Sequence, residues 1–205
     1  MVYMSKAAKR QMRREKILSA AAAQFFAHGF RSVDLGEFAA SLGMSKRTLY
    51  QEFPSKSALI EAVLKARVAA ISAELNQLER RLLPAFDQEF KALVAIIEKH
   101  LAQIKPAFFR DLGKFHPELF EILIKSWREM IPRFLGRRID RGKAEGSIRA
   151  DMPTNLLTEL FLSLADIIVI PEKMAQLKLS PDAAYSAILS IVFHGVMAPS
   201  KEAAL

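Results

Sequence analysis

The chain has 205 residues, of which 51% are hydrophobic and 25% are charged, so a sizeable folded core is expected. It contains no cysteine, which excludes disulfides, thiolate chemistry and cysteine-ligated zinc. The longest apolar run, residues 160–170, is interrupted by Ser163 and Asp166 and is shorter than the about 20 apolar residues that span a bilayer. We therefore expect a cytoplasmic protein without a membrane span or a cleaved signal peptide.

The net charge of +8 is concentrated at the N-terminal end of the chain. Residues 1–56 contain ten Lys or Arg and four Asp or Glu, whereas residues 57–205 contain 20 and 18. This asymmetry indicates a polyanionic partner, either nucleic acid or an anionic membrane surface. The alternative is a solvated basic tail without a partner.

The first segment is predicted to be an amphipathic helix over about residues 9–27. Its apolar stripe recurs at helical spacing and consists of Ile17, Leu18, Ala21 and Phe25. Gly29 follows as a typical stop signal. A basic arm lies at the start of this segment and either contacts the partner or remains a solvated tail. The arm consists of Lys6, Lys9, Arg10, Arg13 and Arg14.

Two short helices joined by a glycine turn come next. Asp34, with Glu37 three residues later, is a capping box for the first helix, which ends before Gly43. Ser45 caps the second helix, which ends near residues 53–54 because proline disfavours helix in the residue before it. This pattern is typical of a helix-turn-helix, whose second helix presents its N-terminal turn to the major groove of DNA. The polar face of that helix carries Lys46, Arg47, Thr48, Tyr50 and Gln51.

The remainder of the chain is also predicted to be helical, since no sustained alternation indicates a strand. A long fourth helix follows Ser55 and runs to about Leu83. Further helices are expected near residues 85–104, 106–113, 117–144, 153–170 and 180–196, with a turn at 146–153 and a loop at 171–179. The fold class is therefore all-α.

In the N-terminal part of the chain, the glycine, aromatic and helix-cap residues occur in an order and spacing typical of a known family. They lie in Phe26–Phe30, Phe38–Ala39, Leu42–Tyr50 and Phe53–Lys56. With these segments, residues 10–62 resemble the TetR family of bacterial regulators. The resemblance implies a three-helix DNA-binding domain at residues 1–56. It also implies a regulatory bundle at residues 57–205 that binds an effector and forms the dimer.

The resemblance further implies a function and a set of contact residues. The function is that of a homodimeric transcriptional repressor that binds palindromic double-stranded operator DNA and is released by a small, largely apolar effector. No cofactor is expected, because the sequence has neither a phosphate loop nor a dinucleotide fingerprint. The positions that match the family's DNA contacts are Ser45, Lys46, Arg47, Thr48, Tyr50 and Lys56. Two positions depart from the family pattern. Val33 replaces a common phosphate-binding threonine, and Arg47 replaces a common glycine and adds a charge.

Apolar stripes in the second predicted domain have two interpretations. They form either a packed core or an effector cavity with a few polar anchors, for which His100, Arg110 and Trp127 are the candidates. The apolar faces of 153–170 and 180–196 are expected to join two subunits in a four-helix bundle, with packing inside one chain as the alternative.

No catalytic signature accompanies these features. The sequence has no nucleophile elbow, phosphate loop, dinucleotide fingerprint or zinc-protease motif, and its four histidines lack metal-ligand spacing. We therefore expect neither an enzyme nor a metal site. Two alternatives stay open: a basic helical module that binds nucleic acid or anionic membrane without sequence preference, and an activator with the same DNA-binding helices.

Overall fold

A computed structural model of the chain describes residues 5–81 and 86–196, and this part is an arrangement of helices. The helices are α1 Lys6–His28, α2 Leu35–Ser41, α3 Lys46–Glu52, α4 Lys56–Arg80, α5 Phe86–Leu101, α6 Pro106–Phe115, α7 Pro117–Ala144, α8 Thr154–Ile168, α9 Pro171–Leu177 and α10 Pro181–Val196. The predicted all-α fold class is confirmed. None of these helices, over the described ranges, is long and apolar enough to cross a membrane.

Two predictions about helix boundaries were wrong. The first helix begins at Lys6, capped by the Ser5 hydroxyl, so the basic residues belong to α1 instead of forming an arm or a tail. Residues 171–177, predicted as loop, form α9 because proline is favoured at the first helical position and the buried Met174 anchors the turn. The fourth helix was predicted to run to about Leu83, a residue outside the described ranges, and α4 ends at Arg80, with Arg81 in an extended conformation.

The predicted N-cap residues of the short helices, Asp34 and Ser45, are confirmed. The carboxylate Oδ1 of Asp34 accepts the N–H groups of Gly36 (2.6 Å) and Glu37 (2.9 Å) at the start of α2. The hydroxyl of Ser45 accepts the N–H of Thr48 (3.1 Å) at the start of α3. Each cap satisfies N–H groups that have no partner within their own helix. These contacts fix where α2 and α3 begin.

Aromatic side chains join α1 to the second half of the molecule. The ring of Phe108 on α6 lies edge-on to Phe26 (centroids 4.9 Å apart) and to Phe30 (5.7 Å). Arg67 on α4 places its guanidinium 4.6 Å from the centroid of the Phe26 ring. The end of α1 therefore packs against both α4 and α6, which gives the two parts of the chain one continuous core.

The α1–α2 loop, residues 29–34, is fastened to α6 by one buried carboxylate. Asp111 is 6% exposed, and its Oδ2 accepts the N–H groups of Phe30 and Arg31, each at 3.0 Å. Gly29 adopts φ +77° and ψ 176°, a conformation that is nearly restricted to glycine. A Cβ atom at position 29 would lie 2.4 Å from that same Oδ2. Glycine is thus required here by both backbone geometry and space.

We predict that Gly29→Ala destabilises the fold more than Gly146→Ala. Gly146 also has positive φ (+73°), but nothing lies within 4 Å of its added Cβ. Gly146→Ala should therefore cost only the backbone strain of about 1–2 kcal/mol. Gly29→Ala should cost about 1–3 kcal/mol more because it displaces a buried acceptor. Urea unfolding measures both, and equal losses would show that Asp111 does not constrain the loop.

Candidate nucleic-acid interface

The candidate recognition helix α3 buries one side and exposes the other. Leu49 is buried in the core, while Lys46, Arg47 and Tyr50 are exposed. No hydrogen bond or ion pair reaches these three side chains from residues 5–81 or 86–196. One short, capped helix therefore exposes an ammonium, a guanidinium and a phenol group to solvent.

Ser45 and Thr48 have a more local role in the isolated chain. Besides the cap, their hydroxyl groups share a hydrogen bond of 2.9 Å. Both side chains border an open cleft of about 600 Å³ between α1 and the α2–α3 turn. Arg13 and Lys16 of α1 line the same cleft, and Lys16 donates to the carbonyl of Leu42 (2.9 Å). Basic groups of α1 thus lie beside the first turn of α3.

Lys56 has intramolecular partners that the sequence pattern did not indicate. Its Nζ donates to the carbonyls of Arg31 (3.2 Å) and Val33 (2.7 Å), so it ties the start of α4 to the α1–α2 loop. Burial lowers the pKa of Lys56, while the charges of Asp111 and Asp34 oppose that effect. An ammonium has three N–H donors, so one remains for a phosphate. The Val33 side chain is buried and apolar, so the polar contacts of this residue come from its backbone, whose N–H donates to the carbonyl of Phe30 (3.3 Å) and whose carbonyl accepts from Lys56.

Three arginines of α1 converge on Glu52 at the end of α3. Arg10 Nε donates to Oε2 (3.0 Å), Arg13 donates to Oε1 through Nε (3.0 Å) and Nη2 (2.5 Å), and Arg14 donates to the backbone carbonyl (2.6 Å). Burial raises the pKa of Glu52, but the hydrogen bonds from Arg13 and Arg10 outweigh it and hold the pKa below its ordinary value. We call this group the Glu52 cluster.

The Glu52 cluster was missed in the sequence, although a signal existed. Arg10, Arg13 and Arg14 continue, at helical spacing, the inward stripe that begins with Ile17 and Ala21. Cations on the core-facing side of a helix require a buried acceptor. Glu52 is the one acidic residue of α3, so it was the natural candidate.

The three candidate effector residues lie in different surroundings. His100 is buried between Arg67, whose Nη1 donates to Nδ1 (3.1 Å), and Glu74, which contacts Nε2 (3.0 Å). Burial lowers the pKa of His100, against the opposing effect of Glu74. Trp127 lines an interior cavity of only about 20 Å³, as does Arg67. Arg110 is exposed on α6 and does not line that cavity.

A larger groove of about 310 Å³ runs between α4 and α7. Its walls are mostly apolar and consist of Glu61, Leu64, Lys65, Val68, Ala69, Ser72, Leu119, Ile122, Leu123 and Ser126. Three of these residues also line the interior cavity, namely Leu64, Val68 and Leu123. The groove and the cavity beside Trp127 and Arg67 are therefore separated by the side chains that they share.

The two predicted interface helices, α8 and α10, have some apolar residues buried within the chain and others exposed on its surface. Ile188 and Phe161 are buried where α8 and α10 pack within the chain. Other large apolar side chains of these helices are exposed, namely Leu156, Leu160, Ile167 and Ile191. Asp166 on α8 pairs with Arg128 on α7. Packing inside one chain therefore accounts for only part of these apolar faces.

Known proteins resemble this chain both in its N-terminal part and over most of its length. Residues 17–63 match the family model described as bacterial regulatory proteins, tetR family. The HTH-type transcriptional regulator YvaF of Bacillus subtilis strain 168 is 23% identical over 82% of this chain and 87% of its own length. UidR of Escherichia coli strain K12, also an HTH-type transcriptional regulator, is 27% identical over 75% and 78%.

A solved structure extends the likeness to the whole fold. A TetR-family transcriptional regulator from Agrobacterium tumefaciens has a TM-score of 0.67 and 16% identity, over 92% of this chain and all of that one. This likeness concerns the fold, while the family-model match at residues 17–63 confirms the resemblance found in the N-terminal part of the sequence.

We predict that Lys56→Met and Lys46→Met weaken DNA binding alike but differ in stability. Either change removes one cation, so the slope of log affinity against log salt should fall by about one unit per lost phosphate contact. Only Lys56→Met also removes two hydrogen bonds to carbonyls, at a cost of about 1–2 kcal/mol. Salt titration and urea unfolding test both changes. Unaltered stability of Lys56→Met would contradict the tie between α4 and the loop.

Proposed function

We propose that this chain is a DNA-binding transcriptional regulator of the TetR family that acts as a cytoplasmic homodimeric repressor. In this proposal α3 reads a palindromic operator, and the effector binds between α4 and α7. The observation that carries the proposal is the exposed set Lys46, Arg47 and Tyr50 on a helix fixed from its other side by Leu49 and the Glu52 cluster. These side chains have the chemistry that base edges and phosphates require.

The proposed DNA contacts divide by chemistry. The guanidinium of Arg47 suits the two acceptors of guanine in the major groove, and the Tyr50 hydroxyl suits a base edge or a phosphate. Lys46 and the remaining N–H of Lys56 supply charge to phosphates, which adds affinity but no sequence preference. The hydroxyls of Ser45 and Thr48 lie at the N-terminus of α3, where the helix dipole also favours an anion.

The proposed dimer is required because one recognition helix contacts only part of an operator. A single helix-turn-helix contacts half an operator, so two copies must meet major grooves about 34–36 Å apart. The exposed apolar residues of α8 and α10 support these helices as the interface, because a four-helix bundle would cover them. A twofold symmetric dimer requires a palindromic operator.

The effector site is proposed in the groove between α4 and α7. Its apolar walls favour a largely apolar molecule, and Trp127 and Arg67 lie behind the shared wall residues. Binding that separates α4 from α7 would move a helix that starts at Lys56 and is tied there to the α1–α2 loop. An effector releases DNA only by binding the non-DNA conformation more tightly, and that difference limits the release.

We predict that Arg47→Ala and Tyr50→Ala each weaken operator binding while leaving helicity and dimerisation intact. A lost base contact should cost about 1–3 kcal/mol. Gel shifts use an operator selected from random DNA, with random DNA as competitor. Lys125→Ala, which removes an exposed cation from α7, serves as control.

The wild type should prefer its operator by about 10³-fold or more. Unchanged affinity of both variants would refute the assignment of α3, and absence of any preferred site would favour a nonspecific DNA-binding module.

We predict that Ile191→Glu yields monomers and abolishes tight operator binding. Ile191 is 70% exposed in the single chain, so the monomer tolerates glutamate, whereas a dimer would bury an unpaired carboxylate at a cost of several kcal/mol. Leu177→Glu on α9 introduces the same charge at another exposed apolar position. Sedimentation should find Leu177→Glu dimeric. A dimeric Ile191→Glu protein would place the interface elsewhere.

We predict that Ala69→Trp abolishes release by the effector but leaves operator binding intact. Ala69 lines the groove, and its neighbour Ala70 is exposed without lining it, so Ala70→Trp is the control. An indole at position 69 would occupy the space proposed for the effector. Operator release is measured with a compound identified by screening on the wild type. If the effector releases the Ala69→Trp protein from its operator as it releases the wild type, the groove is not the effector site.

A further inference from the structure

We propose that Glu52 is a positioning residue for DNA binding, which holds Arg10 and Arg13 beside α3 as a preformed clamp for a DNA phosphate. The inference rests on the proposed function and adds α1 to its DNA contacts. It concerns a carboxylate that never touches DNA and that, by charge alone, would repel it.

The carboxylate of Glu52 is buried, whereas the side chains of the arginines that bind it are partly exposed to solvent. The Glu52 side chain is 1% exposed, whereas those of Arg10 and Arg13 are 61% and 41% exposed. Arg10 uses its Nε on Glu52, and Arg13 uses Nε and Nη2. A guanidinium has five N–H donors. Terminal N–H groups therefore remain for a ligand on the solvent side.

The charge balance indicates an anionic ligand. Arg10, Arg13 and Arg14 face a single carboxylate, so the Glu52 cluster carries two uncompensated positive charges. Lys16 adds a further cation on the wall of the cleft that Arg13 shares with Ser45 and Thr48. Phosphates flank a helix that lies in the major groove, and the planar fork of arginine matches phosphate oxygens. A DNA phosphate therefore fits this position beside α3.

Glu52 also fixes α3 relative to α1. The carbonyl of Glu52 belongs to the last turn of α3, where carbonyls have no partner inside the helix, and Arg14 Nη1 donates to it (2.6 Å). The Arg14 guanidinium lies 4.4 Å from the centroid of the next side chain, Phe53. The same residue thus orders the arginine side chains and sets the distance between α1 and the base-reading side chains. Free arginines would lose rotamer freedom on binding DNA, whereas these are already ordered.

The test uses a change whose sign distinguishes positioning from simple charge. Glu52→Gln makes the chain more positive by one unit, so electrostatics alone predicts tighter DNA binding. Positioning predicts the opposite for the selected operator, a loss of roughly tenfold, with binding to random DNA unchanged or tighter. Glu15→Gln, at an exposed position of α1, makes the same charge change and should not weaken operator binding.

A double-mutant comparison measures the phosphate clamp itself. Arg13→Gln alone should lower the salt slope of operator binding by about one unit. In the Glu52→Gln background the same change should have much less effect, because the guanidinium is no longer held in place. Circular dichroism and sedimentation verify that each variant folds and dimerises. If Glu52→Gln does not fold, Glu52→Asp, which keeps the charge but withdraws the carboxylate, replaces it in every measurement.

The outcomes separate this inference from the proposed function. Failure of the wild type to select any operator would overturn the proposed function. A selected operator that Glu52→Gln, or Glu52→Asp in its place, binds as tightly as the wild type or tighter would overturn the positioning role alone. An Arg13→Gln effect of equal size in both backgrounds would also overturn it.

Discussion

The α1–α2 loop is held between two opposite charges that come from distant parts of the chain. Asp111 on α6 accepts two of its N–H groups, and Lys56 on α4 donates to two of its carbonyls. Buried backbone groups that lose such partners carry a free-energy cost of about 1–3 kcal/mol each. Neither α4 nor α6 is therefore free to shift away from the loop independently. The position of α2 and α3, which follow the loop, depends on these two helices.

This constraint gives α4 a double role. Its first residue is tied to the loop, its middle carries Arg67 against Phe26 of α1, and its outer side forms one wall of the groove facing α7. In the proposed function, an effector in the groove and DNA at α3 would therefore both act through α4. Coupling between the two proposed sites needs an element that both of them influence, and α4 both lines the groove and contacts the α1–α2 loop.

Local rules allowed much of the fold to be predicted. The caps at Asp34 and Ser45 and the stop at Gly29 depend on residues within four positions of one another, and they are as expected. The partners that hold the interface together do not follow such rules. Arg13 and Glu52 are 39 positions apart and Phe30 and Asp111 are 81 apart, so periodicity indicates which side of a helix a residue faces but does not by itself identify its partner. The predicted anchor His100 shows the same limit, because its partners Arg67 and Glu74 belong to another helix.

Amide hydrogen exchange at Phe30 and Arg31 tests the central constraint most directly. If Asp111 fastens the loop, both amides in the wild type should exchange as slowly as the buried amides of α1 and α6. Exchange then requires the hydrogen bonds between Asp111 and the loop to break. Asp111→Asn should speed their exchange and reduce operator affinity, while the amides inside α3 keep their protection. Fast exchange in the wild type, or exchange that Asp111→Asn leaves unchanged, would contradict the account.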